Sequence, residues 1–127
     1  MSLLLAADIG RRRTGLAIGD TVAGFVMALE TLRHKEDAEL IAGVLKVARE
    51  KRVTELVLGL PLLPQGDEGE QSTFVRGIAA ELAKQSGLSV TLLDERYSTN
   101  TKDGTDPDAR AACELASLAV QQRQNRY

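Results

Sequence analysis

Apolar and polar residues follow two rhythms along the chain. Leu3 to Asp8 is a short apolar run ending in an acid, which predicts a buried strand. Gly10 begins a turn through Arg11, Arg12 and Arg13. Thr14 to Gly19, with Leu16 and Ile18 alternating, reads as a second strand. After a turn at Asp20 to Gly24, Phe25 to Leu32 predicts a third. Connections this short favour an antiparallel meander. The period then changes. Leu40, Ile41, Val44, Leu45 and Ala48 fall on one face of a helix over Glu36 to Lys51. Thr54 to Leu60 is a strand stopped by Pro61. A loop with Pro64, Gly66, Asp67, Glu68 and Gly69 leads to a helix marked by Phe74, Val75, Ile78, Ala79 and Leu82 and ended near Gly87. Ser89 to Leu93 is a fifth strand. Pro107 to Gln122 is the last helix, with Asp106 as its N-cap and Pro107 at the first helical position.

The order is βββαβαβα, an α/β pattern with a mixed five-stranded sheet. Strand–helix–strand units imply parallel pairing with right-handed crossovers. The strands ending near Asp8, Gly59 and Leu93 should therefore run parallel, with helices on both faces. Ligands of open α/β sheets bind beyond the carboxyl ends of such strands. Asp8, the Asp94–Glu95 pair, the loop with Asp67 and Glu68, and Asp108 all approach that rim.

Composition narrows the chemistry. The chain has 127 residues, 43% hydrophobic and 27% charged, which suits one globular domain over residues 1–127. A net charge of -2 argues against a broad basic grip on phosphate, though charge can be segregated locally, and 3% aromatic residues leave little for base stacking. Any hold on nucleic acid must be local and mostly on the backbone. The single cysteine, Cys113, has no zinc-ligand spacing around it and suits a reducing compartment. No leader pattern is legible, and the apolar runs are too short to span a bilayer, so a soluble cytoplasmic protein is expected.

Converging carboxylates repel one another unless a cation compensates. Hard divalent ions take oxygen ligands. Two of them about 4 Å apart can activate a water and stabilise a leaving oxygen in phosphoryl transfer. Each acid also has a structural explanation: Asp8 can begin a turn, Asp108 suits the dipole of a first helical turn, and Asp67 and Glu68 suit a solvated loop. Their convergence gives the functional reading its weight. Arg11 and Arg13, within the arginine run beside Asp8, are candidates to fix substrate phosphates, since phosphate contacts position a nucleic acid. Thr99 and Ser98 can hydrogen-bond substrate or cap a helix, and Tyr97 can stack on a base or pack beside the loop. His34 reads as a surface residue and Cys113 as a packing residue of the last helix.

Four segments carry a family resemblance. Ala7-Asp8-Ile9-Gly10-Arg11-Arg12-Arg13-Thr14-Gly15-Leu16-Ala17, Val57-Leu58-Gly59-Leu60-Pro61-Leu62 with Gly66, Leu93-Asp94-Glu95-Arg96-Tyr97-Ser98-Thr99 and Asp108-Ala109-Arg110-Ala111-Ala112 resemble, in order, the motifs of the YqgF/RuvX-type proteins. These are the Holliday junction resolvases and pre-16S ribosomal RNA nucleases of bacteria. The resemblance implies a ribonuclease-H-like fold and a nuclease dependent on magnesium or manganese, with two ions. It implies Asp8, Glu95 and Asp108 as metal-binding, catalytic acids, Asp94 as support, and Arg96 as a loop-steadying or phosphate-contacting residue. The family usually carries a longer, partly helical segment before the final aspartate. Here only Asn100 to Pro107 intervene, which still reach roughly 26 Å when extended.

Processing of pre-16S ribosomal RNA is the first reading, since the acidic pI of about 5.4 and small size favour trimming of structured RNA. Resolution of branched DNA is the alternative. It needs two cuts and a homodimer, for which no face is legible. Two further readings compete. A non-catalytic RNA-binding module would keep the fold and lose the site. An ATPase of the actin or sugar-kinase superfamily also opens its first lobe with an Asp-x-Gly turn, but it would need a second lobe of comparable size, which 127 residues do not supply. A nucleotide hydrolase with a Gly-x4-Gly-Lys-Ser/Thr loop is disfavoured because that loop is absent.

Overall fold

The computed structural model describes residues 2–95 and 107–125, Glu95 by its backbone alone. Strand β1 (Leu3–Ile9) pairs antiparallel with β2 (Arg13–Asp20), with Asp8 opposite Gly15 and Ile9 opposite Thr14. The hairpin between them closes through Gly10, whose N–H donates to the Arg13 carbonyl at 2.9 Å. A Cβ on Gly10 would lie 2.5 Å from that same oxygen, so the turn excludes a side chain there.

The expected third strand over Phe25 to Leu32 is two pieces, β3 (Val26–Ala28) and β4 (Leu32–Arg33), both on the outer edge of β2. Ala17 pairs with Ala28, and Thr14 pairs with Leu32. The edge thus advances four residues while β2 advances three. One extra residue on one strand is a β-bulge, and it inverts the facing of everything beyond it. Leu32 is turned into the core against Gly43, and Arg33 is set opposite Arg13. The alternation of the sequence runs through this segment without marking the slip.

Helix α1 (Asp37–Lys51) starts at a capping box in which the Glu36 N–H donates to Glu39 Oε1 at 3.0 Å. Strand β5 (Glu55–Pro61) pairs parallel with β1 and with β6 (Ser89–Glu95). Pro61 is the last residue of β5 rather than the residue after it. Helix α2 (Glu70–Ser86) begins one turn earlier than its apolar pattern, and Gly87 ends it with a left-handed φ of 72°. Buried Ser72 donates to the Pro61 carbonyl, tying the start of α2 to the end of β5. Helix α3 (Pro107–Gln124) is the last element among the described residues.

The sheet order is β3-β2-β1-β5-β6, with the three parallel strands adjacent as expected. Alternation sorts β1 between two cores. Leu5, Ala7 and Ile9 meet α1 and α2 on one face, while Leu4 and Ala6 meet α3 on the other. Gly15, Ala17 and Gly19 of β2 present at most a methyl group to α3, whose inward residues include Ala112, Ala116 and Ala119. That lets the helix approach closely; a Cβ on Gly19 would sit 2.7 Å from Val120 Cγ2. Arg123, near the end of α3, ion-pairs with Glu55 and reaches Thr91 Oγ1 at 3.4 Å, both in the first halves of their strands. An 18-residue helix spans about 27 Å. Its other end is thereby carried to the rim where the parallel strands finish.

Candidate active site

Asp8 shares the facing of Leu4 and Ala6, so it lies on the α3 side of the sheet, half-buried. Its ladder partner is Gly15. On the same side, a Cβ placed on Gly15 would fall 1.8 Å from the Asp108 carbonyl oxygen and 3.1 Å from its Cα. The missing side chain is what seats the first turn of α3 against β2. Opposed residues of an antiparallel pair are separated by at most about 5.5 Å between Cα atoms, so the Asp8 and Asp108 backbones lie within about 10 Å. A glycine inside a strand is a sequence signal for such a close approach, and it is a signal that the sequence reading did not use.

Asp108 is joined by Arg13, whose Nε lies 3.2 Å from Asp108 Oδ2, with the Asp108 side chain 23% exposed. Arg13 shares the facing of Gly15, which explains why it reaches this acid. Glu95 closes β6 opposite Pro61, at a register position with the parity of Thr91 and Leu93, the residues that meet α3. The backbone thus brings positions 8, 95 and 108 to one rim and one face. The Glu95 side chain lies outside the described residues, as do Arg96, Tyr97, Ser98, Thr99 and the Asp106 N-cap. Among the described residues no three His, Cys, Asp or Glu side chains are grouped as a metal cluster.

The other acids separate from this group. Asp94 takes the facing of Val90 and Leu92, towards α2, and is exposed. Its charge contributes to raising the pKa of Arg76. Glu68 is held by Arg76 in a two-pronged ion pair of 2.7 and 2.6 Å, which lowers its pKa. It also bridges Leu62 through the backbone, so its role is to close the loop between β5 and α2.

Arg11 stacks on Phe74, its guanidinium carbon 4.4 Å from the ring centroid. Gln71 Nε2 donates to the Ile9 carbonyl at 3.1 Å. Two contacts from α2 therefore steady the end of β1, where Asp8 lies. Cys113 is partly buried against the α3 core, and burial pushes its thiol pKa up, as a packing role requires.

His34 corrects the expectation of a surface residue. It is 6% exposed, and its Nε2 lies 2.9 Å from Thr14 Oγ1, itself fully buried. The residue sits just past the bulge, which sequence alternation could not place. Burial holds its pKa below the ordinary value, and Arg12 adds to that; Glu39 and Asp37 pull the other way. The unfolded chain therefore binds this proton at higher pH than the folded one. The stability involved is present above about pH 6.5 and is lost as pH falls through the lowered folded pKa. Urea midpoints are expected to fall more steeply with acidification for the native protein than for His34→Gln, and parallel curves would remove His34 as the cause.

The chain resembles known proteins along most of its length. The family model described as "RuvX: Holliday junction resolvase" matches residues 2–112. A protein of Anaeromyxobacter dehalogenans named "Putative pre-16S rRNA nuclease" is 40% identical over 95 residues, covering 75% of this chain and 69% of its own. One of the same name from Ralstonia pickettii is 32% identical over 120 residues, covering 94% and 84%. Among solved structures, Thermus thermophilus RuvC in complex with a Holliday junction substrate superposes with a TM-score of 0.68 over 97% of this chain and 96% of its own. The large terminase nuclease of phage G20c does so at 0.52, over 98% and 55%. At 14% and 17% identity these two establish the ribonuclease-H-like fold alone. Fold, motif order and extent of match agree: the chain belongs to the RuvX family of Holliday junction resolvases, nucleases that hydrolyse phosphodiester bonds.

Proposed function

We propose that residues 1–127 form one metal-dependent nuclease domain that cleaves structured RNA in the cytoplasm, with the precursor of 16S ribosomal RNA as substrate. The observation that carries the site is the seat of Asp108 on Gly15, directly across the ladder from Asp8. The backbones of two acids from opposite ends of the chain are seated on one glycine, which supports a shared role for their carboxylates. Hard oxygen donors so placed suit magnesium or manganese better than ions that prefer thiolate ligands. Asp8 and Asp108 would hold the metal together with Glu95, whose backbone position shares their rim. Bound there, a pair of ions supplies an activated water and charge stabilisation at the leaving oxygen.

The chain's own groups supply orientation. Arg13 fixes the Asp108 carboxylate and offsets its charge at the site's mouth. Arg11, preorganised on Phe74, presents a cation beside the end of β1. Arg96 and Thr99 are the further substrate contacts of this proposal. The relatives' name favours ribosomal RNA precursor, and the chain's net charge of -2 favours a local grip over a broad one. Branched DNA, the substrate in the family's description, is the second reading, and it requires a homodimer to make two cuts. No helix among the described residues is long and apolar enough to cross a membrane.

The test offers the protein labelled pre-16S RNA and a four-way DNA junction, each with magnesium, manganese or chelator. Metal-dependent cutting of the RNA, with the junction left whole, is expected. Paired symmetric nicks in the junction would replace the RNA reading. Binding of RNA without cutting under every metal condition would leave a non-catalytic module.

A further inference from the structure

Apart from the candidate acidic site, a concentration of positive charge lies on the edge formed by β2 and β4. Arg12, Arg33 and Lys35 surround a surface recess of about 500 Å3, whose remaining lining is His34 and Glu39. The turn before β2 and the end of β4 contribute these cations, and the two segments are locked together. Arg13 pairs with Arg33 across the ladder, and the His34 N–H donates to the Arg12 carbonyl at 3.0 Å. Below the recess, His34 is anchored to Thr14, so its floor is rigid. None of Arg12, Arg33 and Lys35 has an ion-pair partner among the described residues. By contrast, Arg13 is joined to Asp108 and Arg11 lies on Phe74.

The arrangement works against stability. Like charges directly opposed on a ladder repel, and Arg13 faces Arg33. The bulge makes this so, because without the extra residue Arg33 would turn to the other face. A local rule broken by a defined structural device, in a chain of net charge -2, points to a ligand that reverses the penalty. Opposing charge is limited. Glu39 accepts from the Lys35 and Glu36 N–H groups at 3.1 and 3.0 Å and is bound to the start of α1. Glu36 and Asp37 are exposed beyond it and mark where a polyanion would be repelled.

We propose that Arg12, Arg33 and Lys35 form a second phosphate-binding site for the nucleic acid backbone, on the β2–β4 edge beside the acid cluster. The rung of Arg13 and Arg33 lies two residues beyond that of Gly15 and Asp8, about 7 Å along the strand. A strand whose scissile linkage lies at Asp8 and Asp108 can pass over Arg13 and reach the recess with flanking phosphates. The site then sets the register of cleavage, without reading bases. This inference rests on the nuclease reading for its substrate.

The probe is a fluorescein-labelled stem-loop RNA, with DNA of the same sequence in parallel, followed by anisotropy across a salt series in chelator. Chelator separates backbone binding from metal chemistry. Arg12→Gln/Arg33→Gln/Lys35→Gln is expected to bind more weakly and to flatten the slope of log K against log salt by about 2. Arg12→Lys/Arg33→Lys keeps the charge and is expected to retain the slope. An unchanged slope in the Gln variant overturns the proposal, whether or not the native protein cuts RNA with metal. A flattened slope with no cutting under any metal upholds this site and refutes the nuclease reading instead. Loss in both sets, with the Lys variant as weak as the Gln variant, would mean the edge had been distorted rather than discharged, and would also overturn it.

Discussion

Replacing Asp8 by Asn is expected to lower the rate of RNA cleavage by at least about a thousandfold, on the order of 4 kcal/mol of transition-state stabilisation. Asn keeps the size and the hydrogen-bonding edge of Asp but loses the charge that a divalent cation needs. Asp8 lies at the centre of the rim, opposite Gly15 and within reach of Asp108. The fold should not suffer. Asn matches the shape of Asp, so the melting temperature in chelator is expected to stay close to that of the native protein. Manganese should raise the melting temperature of the native protein, because a ligand bound only by the folded state stabilises it by mass action. The Asn variant should lose that response. Cleavage at the native rate by a pure Asp8→Asn preparation would refute the assignment.

Gly15→Ala is expected to damage both stability and activity, although the change adds one methyl group. The new Cβ would lie 1.8 Å from the Asp108 carbonyl oxygen and 2.4 Å from its carbon. These are backbone atoms of a helix, so no flexible side chain can yield. The first turn of α3 must move, and Asp108 with it. Overpacking of this kind costs typically about 1–3 kcal/mol, and the displaced carboxylate would no longer face Asp8. The expected signature is a lower denaturation midpoint together with a manganese response as weak as that of Asp8→Asn. Gly77 serves as the control, since nothing lies within 4 Å of a Cβ there. Gly77→Ala, in the middle of α2, should be neutral or stabilising, because Ala is the better helix former. A Gly15→Ala protein with native stability and native metal response would show that α3 is not seated as described.

The sequence alone determined most of the architecture. Periodicity is a local property: the strands of the hairpin, two buried parallel strands with a half-buried third at the edge, and three amphipathic helices follow from residues close along the chain. Because crossovers are right-handed and parallel strands finish at one rim, the placing of backbone positions 8 and 95 at one edge was legible in outline. Tertiary structure decided what depends on register and on close approach. One extra residue between Ala28 and Leu32 buried His34 and set Arg33 against Arg13, and hydrophobic alternation carries no mark of such a slip. Strand parity sent Asp94 towards α2 and left position 95 on the side of Asp8, although the two acids are adjacent in sequence. The pairing of Arg13 with Asp108, and of Glu68 with Arg76, could not be read in advance, since an ion pair depends on where two distant backbones come to rest. Sequence fixes which surfaces must be buried; only the packed chain fixes which side chains then face one another.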